Sequence, residues 1–308
     1  MKLLLTGASG QLGHVLAARL CNIGDIIAPT HSQMDLTDAD AIRRVVVATQ
    51  PDLIINAAAY TAVDQAEAQP QLAYAINAIA PAILAQQAQF LSIPLIHFST
   101  DYVFDGNGST PYREDHLPQP RNIYGMSKLA GEHAIAAYCE NYWILRTSWV
   151  YGAHGSNFLK TILRLAQERD TLNVVDDQIG APTWTHSIAD ALMHMLSAAD
   201  AQEIAQRINT SHGLYHLTAT GSTSWHHYAR TIVHMLSTLH MPLRLQESDI
   251  SALPSSAYPT AATRPLNSRL CVDKLQEAFA LTLPHWQSAL TDCIEELTGR
   301  RLPQRSDD

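Results

Sequence analysis

The sequence predicts an α/β protein with a doubly wound parallel sheet and a smaller C-terminal domain. Short apolar runs alternate with longer helical patterns through the first half of the chain, and a glycine-rich turn directly follows the first run. Runs that are apolar throughout are typical of strands covered by helices on both faces of a sheet. Hydrophobic residues make up 46% of the chain and charged residues 16%, which supplies enough apolar material for a large core.

Five buried strands are expected in the first half, each followed by a helix or, after the last, by a less regular region. Right-handed crossovers between such strands place a ligand crevice at their carboxyl ends. The predicted strands are Leu3–Thr6, Asp25–Ala28, Leu53–Ala57, Leu95–Ser99 and Trp143–Thr147, and the helices between them span about 11–22, 38–49, 71–90 and 122–140.

The second half is less regular, and proline between Tyr258 and Pro265 excludes regular structure there. The division expected is a dinucleotide-binding domain at 1–170, a substrate-binding region at 171–298 with segments returning to the first domain, and a polar tail at 299–308. Predicted elements are helices at 156–169, 186–198, 223–239, 271–279 and 284–298, strands at Leu172–Val175 and Gly213–Ala219, and a loop at 176–183.

Charge and composition exclude several classes of protein. The net charge of −9, with no run of lysine or arginine, argues against a nucleic acid partner, although a single nucleotide is compatible. The apolar run after Met1 is too short for a signal peptide or a membrane span, so a cytoplasmic protein with no membrane contact is expected. Four scattered cysteines are expected to be reduced, and the 15 histidines show no metal-ligand spacing, so no metal is predicted.

The glycine-rich turn is Gly7-Ala8-Ser9-Gly10-Gln11-Leu12-Gly13, between the first strand and the first helix. Glycine permits a tight turn and close approach of the backbone to a pyrophosphate, and the helix N-terminus offers free N–H groups. The turn therefore predicts a Rossmann-like dinucleotide site; tight turning alone is the alternative. The G-x-x-G-x-x-G spacing resembles that of the short-chain dehydrogenase/reductase superfamily, particularly its extended branch.

The residues after the second strand bear on the choice of cofactor. Ala28-Pro29-Thr30-His31-Ser32 contains no carboxylate that would bind a ribose 2′-hydroxyl and repel a 2′-phosphate. NADPH is therefore at least as plausible a cofactor as NADH. Asp35 and Leu36 are expected at the adenine pocket, with capping of the next helix as the alternative role of Asp35.

A catalytic group is predicted at the start of the fourth helix. Tyr124 and Lys128 share one helix face at i, i+4 spacing, and a nearby ammonium would lower the pKa of the phenol. Thr100, at the end of the fourth strand, is the predicted hydroxyl that holds a substrate carbonyl, while Ser99 is expected to face the core. After the third strand, small residues around Ala59 allow the backbone to approach the cofactor.

Several longer motifs resemble those of the dTDP-4-dehydrorhamnose reductases. The similarity runs in order from Met1 to about Leu297, and the Trp-Val-Tyr and Arg-Pro-x-Asn-Ser elements are its most specific parts. The motifs are Ser99-Thr100-Asp101-Tyr102-Val103-Phe104, Tyr124 to Glu132, Arg146-Thr147-Ser148-Trp149-Val150-Tyr151, Gln178 to Thr183, Gly213 to Leu217, and Arg264-Pro265-Leu266-Asn267-Ser268-Arg269-Leu270.

The resemblance implies that NAD(P)H delivers hydride to C4 of a dTDP-4-keto-L-sugar while Tyr124 supplies a proton. Lys128 would tune Tyr124 and hold the nicotinamide ribose, and Thr100 would orient the carbonyl. The implied cofactor residues are Gly7, Gly10, Gln11, Leu12, Gly13, Thr30, Asp35, Leu36, Ala59, Tyr60, Thr61, Tyr124 and Lys128. The implied substrate residues are Thr100, Asp101, Tyr102 and Trp149, with Arg264 and Asn267 at the nucleotide end.

Two departures and two alternatives remain open. The second strand lacks the carboxylate of some relatives, and the first helix lacks the glutamate with which some relatives bind Mg²⁺ at a dimer interface. An NAD-dependent sugar-nucleotide epimerase or dehydratase is one alternative, although Thr100 is not followed by an Asp-Glu pair. The other is a non-catalytic regulatory subunit, like the β subunit of eukaryotic methionine adenosyltransferase. The chain is expected to be a monomer or a homodimer.

Overall fold

A six-stranded parallel sheet forms the centre of the protein. The computed structural model describes residues 1–197 and 200–302. Numbered in chain order, the central strands are β1 (Lys2–Thr6), β2 (Asp25–Ile27), β3 (Leu53–Asn56), β4 (Leu95–Thr100), β5 (Tyr142–Thr147) and β10 (Gly213–His216). They lie in the order β2-β1-β3-β4-β5-β10, and every neighbouring pair is parallel.

Helices cover both faces of this sheet. Leu3 and Leu5 of β1 point to one face, where they pack against the first and eighth helices, and Leu4 points to the other, where it packs against the second and fifth. The helices of the first half are α1 (Gln11–Leu20), α2 (Ala39–Thr49), α3 (Val63–Ala68), α4 (Pro70–Tyr74), α5 (Ala80–Leu91) and α6 (Ile123–Tyr138). The helices next to the sheet in the second half are α8 (Thr185–Met195), α9 (Ala201–Thr210) and α11 (Asp273–Phe279).

The second half builds a further apolar core of its own. Tyr151, Tyr228 and Trp286 are buried in it. Its helices are α7 (Phe158–Glu168), α10 (Trp225–Thr238) and α12 (Trp286–Thr298), and its short strands are β6 (Val150–Tyr151), β7 (Leu172–Val175), β8 (Ile179–Gly180), β9 (Thr183–Trp184), β11 (Thr223–Ser224) and β12 (Ile250–Leu253). They pair as β6 with β9, β7 with β12 and β8 with β11. The domain boundary at 170/171 stays a prediction.

The doubly wound parallel sheet expected from the sequence is confirmed, and the differences are local. The predicted helix at 71–90 is interrupted by a π-helical turn at Ala75–Ile79. Pro81 lacks the N–H that would bond the Asn77 carbonyl, so regular α-helical bonding fails there. The residues outside the description include the predicted end of a helix at 198 and the tail from 303 to 308.

Helix α9 and strand β12 are among the α-helices and strands that the sequence did not predict; the others are helix α3 and the two-residue strands. Helix α9 begins after Asp200, whose side chain accepts a hydrogen bond from Glu203 N, and it buries Ile204 and Ile208. Strand β12 pairs in parallel with β7. Because the two segments are distant in the chain, the residues of β12 alone do not indicate a strand. In the described part of the chain, no helix has both the length and the apolar character needed to cross a bilayer.

A buried ion pair joins α6 to β5. Arg146 Nε donates to Glu132 Oε1 at 2.8 Å, and the two side chains are 3% and 4% exposed. The guanidinium also lies over the Phe104 ring, 5.0 Å from its centroid. Removing one charge from such a pair leaves the other uncompensated in a medium of low polarity.

Glu132→Gln is therefore expected to lower the free energy of unfolding by about 3–5 kcal/mol, because the Arg146 cation would remain buried without its counter-ion. Urea denaturation followed by circular dichroism measures the change. The matched control is Glu168→Gln in the exposed α7 pair with Arg164, whose side chains are 59% and 51% exposed for Arg164 and Glu168. The control should cost no more than about 0.5 kcal/mol. Equal effects of the two substitutions would contradict the assignment.

Candidate active site

The glycine turn between β1 and α1 depends on close backbone contacts. Gly7 has φ +72°, and a Cβ added there would lie 2.6 Å from Ala58 N. Gly10 N donates to Gly7 O at 2.9 Å, which closes the turn. A Cβ on Gly13 would overlap the Gly7 carbonyl oxygen. Gly7 and Gly13 therefore cannot be replaced without moving the turn.

The N-terminus of α1 is open to a ligand. Gly10 is the N-cap in extended conformation and offers no side chain to the helix. The first helical hydrogen bond runs from His14 N to Gly10 O, which leaves the N–H groups of Gln11, Leu12 and Gly13 without helical acceptors. Oriented N–H groups and the helix dipole favour an anion at this place. The cradle fits the pyrophosphate of a dinucleotide.

The loop after β6 supports this turn from outside. Asn157 Nδ2 donates to Gln11 Oε1 at 2.8 Å, and His154 Nε2 lies 3.1 Å from Ser9 O. The His154 ring stacks on His14 at 4.1 Å between centroids. The Gln11 side chain is thereby held by protein contacts, and the part of this residue left for a phosphate is its backbone N–H.

The loop after β2 is exposed and organised by its own polar groups. Thr30 Oγ1 lies 3.0 Å from Ser32 Oγ and donates to Gln33 Oε1 at 3.1 Å. Asp35 Oδ1 accepts hydrogen bonds from the backbone N and the hydroxyl of Thr37, both at 2.8 Å, which lower the pKa of the carboxyl. The cap of α2 is Asp38, so helix capping is not the role of Asp35. Contact of Thr30, Asp35 and Leu36 with a cofactor stays a prediction.

The segment after β3 is fixed by Asn77 in the π-helical turn. Asn77 Oδ1 accepts from Tyr60 N at 2.8 Å, and Nδ2 donates to Tyr60 O at 3.1 Å and to Ser127 Oγ at 3.0 Å. The side chain of Asn77 thus ties the predicted cofactor segment Ala59–Thr61 to the helix that carries Tyr124. Ser127 completes the link by donating to Tyr124 O at 2.8 Å.

The start of α6 is set by a cap and a close contact. Asn122 accepts a hydrogen bond from Gly125 N at 2.8 Å, and its Nδ2 donates to Thr263 O. A Cβ on Gly125 would overlap the carbonyl oxygen of Tyr102. Gly125 therefore lets α6 approach the residues that follow β4, and Tyr124 comes to lie beside Thr100.

Thr100 and Asp101 are buried and hydrogen-bonded to each other, and the half-buried Tyr124 is hydrogen-bonded to Thr100. Thr100 Oγ1 donates to Asp101 Oδ1 at 3.1 Å and accepts from Tyr102 N at 3.2 Å. Burial raises the pKa of Tyr124, and a hydrogen bond to Thr100 partly opposes that rise. Burial also raises the pKa of Asp101 to about 6, against hydrogen bonds from Ser268 and Thr100. The phenol is therefore protonated near neutral pH.

Lys128 is buried on the same helix, but its ammonium does not contact the phenol. Lys128 Nζ donates to Phe98 O at 2.6 Å and lies 3.1 Å from His97 Nε2. The expectation that Lys128 lowers the pKa of Tyr124 is wrong for this arrangement, because the pKa of Tyr124 is raised and Lys128 is not among the causes. Burial lowers the pKa of Lys128 itself to about 8, while Glu132 opposes the change.

A cleft of about 700 Å³ opens beside this group. Tyr102 and Arg264 belong to its wall, and the Tyr102 ring meets Tyr124 edge-on at 5.4 Å. Arg264 Nη1 donates to Tyr102 Oη at 3.1 Å, and Nη2 donates to Asp64. The predicted substrate residues Tyr102 and Arg264 are thus joined to each other and to Asp64, which the sequence reasoning missed.

Trp149 packs against Trp225, one of the residues that line the cleft. Its backbone has φ +49°, and its ring stacks on Trp225 at 3.5 Å between centroids. A Cβ on Gly180 would overlap the Trp149 ring. Glycine at 180 therefore makes room for the Trp149 indole, and Trp225 stacks on that indole. Trp225 itself lines the cleft.

Asn267 is hydrogen-bonded to two neighbouring segments. Its Nδ2 donates to Thr110 O at 2.8 Å, and its Oδ1 accepts from Arg269 N and Arg269 Nε. Because both ends of the amide are used, Asn267 holds the loop at 106–112 against the C-terminal segment. Contact of Asn267 with a substrate stays a prediction.

Four residues were not found from the sequence, namely His97, Asn77, Asp64 and Trp225. His97 carried a usable signal, since a histidine inside an apolar strand needs a polar partner. The other three depend on distant contacts. Among residues 1–197 and 200–302, no group of three or more histidine, cysteine, aspartate or glutamate residues is arranged to hold a metal ion.

Gly13→Ala is expected to weaken the binding of a reduced nicotinamide dinucleotide about tenfold or more, because the new Cβ overlaps Gly7 O and must displace the turn. Titration by cofactor fluorescence measures the affinity, and the thermal midpoint shows whether the fold survives. Wild-type affinity in a folded variant would contradict the assigned turn.

The chain is similar to a large group of known proteins. A family model described as RmlD substrate binding domain matches residues 1–299. A dTDP-4-dehydrorhamnose reductase of Escherichia coli K12 is 43% identical over 302 residues, with 96% of this chain and 98% of the relative covered. One from Streptomyces griseus is 41% identical over 299 residues, with 96% and 94% covered.

Solved structures agree in fold. The dTDP-4-dehydrorhamnose reductase of Bacillus anthracis, in complex with NADP, has a TM-score of 0.85 and 36% identity, with 96% of this chain and 99% of that chain covered. A UDP-glucose 4-epimerase of Thermotoga maritima has a TM-score of 0.76 at 15% identity, covering 96% and 98%, and shows the fold alone. By its full-length match, the chain belongs to the dTDP-4-dehydrorhamnose reductase family.

Proposed function

We propose that this protein reduces the C4 keto group of dTDP-4-dehydro-L-rhamnose to the alcohol of dTDP-L-rhamnose, with NADPH or NADH as the reductant. The observation that carries the proposal is the contact between the buried Thr100 and the half-buried Tyr124 beside an open cleft. We infer the substrate from family membership, because relatives at 41–43% identity are named for this activity.

The residues of the turn would hold the cofactor through backbone groups. The free N–H groups of Gln11, Leu12 and Gly13 suit the pyrophosphate, and the Ala59–Thr61 segment, fixed by Asn77, lies on the neighbouring strand end. Thr30 and Ser32 offer hydroxyls to the adenosine ribose and no carboxylate that would exclude a 2′-phosphate. The NADP complex of the Bacillus anthracis relative supports use of the phosphorylated cofactor.

The chemistry assigned to the side chains follows from their protonation. The bound nicotinamide would supply hydride to the carbonyl carbon. Tyr124 then donates its proton to the forming alkoxide, and its raised pKa ensures that the proton is present at neutral pH. Thr100 is hydrogen-bonded to Tyr124 and would hold the carbonyl oxygen next to the phenol. Tyr102, Trp149 and Arg264 would bind the sugar nucleotide along the cleft, with Asp101 below the sugar.

The same proposal includes location and assembly. We expect the protein in the cytoplasm, as a monomer or a homodimer. Its net charge of −9 argues against a nucleic acid partner. With a dinucleotide-binding domain at 1–170 and a substrate-binding region at 171–298, both regions would line the cleft. Its residues on α7 belong to the first region, and those on β7 and α10 belong to the second.

The direct test is incubation of the protein with dTDP-4-keto-6-deoxy-L-sugar and each reduced nicotinamide. We expect loss of the reduced cofactor in equal amount to the sugar alcohol, whose configuration is read by NMR. Conversion of the sugar without net consumption of cofactor would indicate an epimerase and would overturn the proposal. Absence of turnover combined with capture of a synthetase would indicate a regulatory subunit.

Tyr124→Phe is expected to lower kcat about 10²- to 10⁴-fold, the usual contribution of a positioned general acid, while NADPH binding changes little. Steady-state kinetics and a fluorescence titration measure the two effects. Tyr138→Phe is the matched control, because Tyr138 is an exposed tyrosine at the end of the same helix. Equal loss of binding and turnover in Tyr124→Phe would indicate a structural role for the phenol.

A further inference from the structure

A chain of four buried polar side chains runs beneath the site, from the end of β1 to α6. Thr6 Oγ1 donates to Asn56 Oδ1 at 2.6 Å, and Asn56 Nδ2 lies 3.0 Å from His97 Nδ1. His97 Nε2 lies 3.1 Å from Lys128 Nζ. All four side chains are at most 1% exposed. Neither the turn nor the Thr100–Tyr124 contact explains why three central strands carry polar groups here.

The direction of these hydrogen bonds depends on the charge of Lys128. Burial and the nearby Lys128 ammonium lower the pKa of His97 well below its usual value, so the imidazole is neutral and carries one hydrogen. If His97 Nδ1 accepts from Asn56, the hydrogen is on Nε2 and faces Lys128 Nζ. That arrangement suits a neutral amine, which can accept the hydrogen bond.

Rotating the Asn56 amide by 180° exchanges its oxygen and nitrogen and reverses the whole chain. Lys128 then donates to His97 Nε2, His97 Nδ1 donates to the Asn56 oxygen, and the Asn56 nitrogen donates to Thr6 Oγ1. This direction suits the ammonium. The same heavy atoms therefore serve two protonation states of Lys128 without moving the strands.

We infer that His97 is a positioning residue for Lys128. The His97 imidazole accepts a hydrogen bond from the Lys128 ammonium and links it through Asn56 to Thr6. The inference rests on the proposed function only in that Lys128 serves the reductase site. Besides His97, the Phe98 carbonyl oxygen of β4 accepts a hydrogen bond from Lys128 Nζ at 2.6 Å. Glu132, one turn further along α6, raises the pKa of Lys128 but is itself paired with Arg146 of β5. The groups that β1 and β3 contribute to the chain are Thr6 and Asn56. Asp101 and Tyr124 lie at the carboxyl end of β4.

The chain also connects Lys128 to the glycine turn. Thr6 directly precedes Gly7, and Thr6 Oγ1 accepts a hydrogen bond from Ala58 N at 3.3 Å. Ala58 is the residue against which Gly7 packs. The charge of the lysine is thus coupled to the backbone at the place where the pyrophosphate is expected.

The test measures the titration of Lys128 directly. The chain has four lysines, at positions 2, 128, 160 and 274, so ¹³Cε-lysine NMR gives few signals, and Lys128→Arg assigns the one of interest. We expect His97→Leu to lower the pKa of Lys128 by about one unit, since a hydrogen bond to the charged form is lost. His97→Gln keeps an acceptor and should restore most of the wild-type titration.

Asn56→Asp gives a shift of opposite sign. The carboxylate can only accept from His97 Nδ1, which fixes Nε2 as the acceptor for Lys128 and adds a negative charge nearby, so the pKa of Lys128 should rise. His216→Gln is the control, because His216 is another fully buried neutral histidine, on β10, whose pKa burial lowers to about 3. It should leave the Lys128 signal unchanged.

In the wild type, the rate of keto-sugar reduction should fall as the pH rises through the pKa of Lys128, and this limb should move to lower pH in His97→Leu. Unchanged Lys128 titration in both His97→Leu and Asn56→Asp, or shifts of the same sign, would overturn the inference. If His97→Leu fails to fold, His97→Gln and Asn56→Asp decide. The NMR result holds even if the protein does not reduce the sugar, so failure of the proposed function is recognised separately.

Discussion

The side-by-side ends of β1, β3 and β4 are the constraint on which the rest of the site depends. Their order places the glycine turn, the Ala59–Thr61 segment and Thr100 at one edge of the sheet. After β1 the chain crosses to one face through α1, and after β3 it crosses to the other through α3–α5. In a doubly wound sheet, the ligand site is expected where the connections separate in this way.

Burial decides the chemistry of the groups at this edge. It holds the pKa of Tyr124 above its usual value and that of Lys128 below, so the phenol keeps its proton while the ammonium is the easier of the two to deprotonate. A reductase needs a proton donor near the carbonyl oxygen, and a protonated phenol meets that need without activation by the lysine. The contacts of Lys128 with Phe98 O and His97 link it to β4 and not to the phenol of Tyr124.

The parts of the structure predicted from the sequence are those with local causes. Gly7, Gly10 and Gly13 follow a short apolar run and open a helix. Thr100 ends a strand that begins with Leu95 and Ile96, so the turn and the strand end could be placed without coordinates. The direction of the Lys128 side chain depends on His97, 31 residues away, and helical spacing alone suggested contact with Tyr124 instead. Asn77 binds Tyr60 from a π-helical turn that a regular periodicity does not predict. The hydrogen bonds of Asn267 to Thr110 and Arg269 also join segments that the sequence alone does not bring together.

The central claim is that the nicotinamide lies over the Thr100–Tyr124 contact while its pyrophosphate lies on the turn at Gly7–Gly13. A crystal structure of the protein with NADPH and the sugar-nucleotide product measures this directly. We expect the product's C4 oxygen within hydrogen-bond distance of Tyr124 Oη and Thr100 Oγ1, and nicotinamide C4 next to the sugar carbon. A nicotinamide ring in the cleft beside Trp225, or a pyrophosphate away from the α1 N-terminus, would contradict the account.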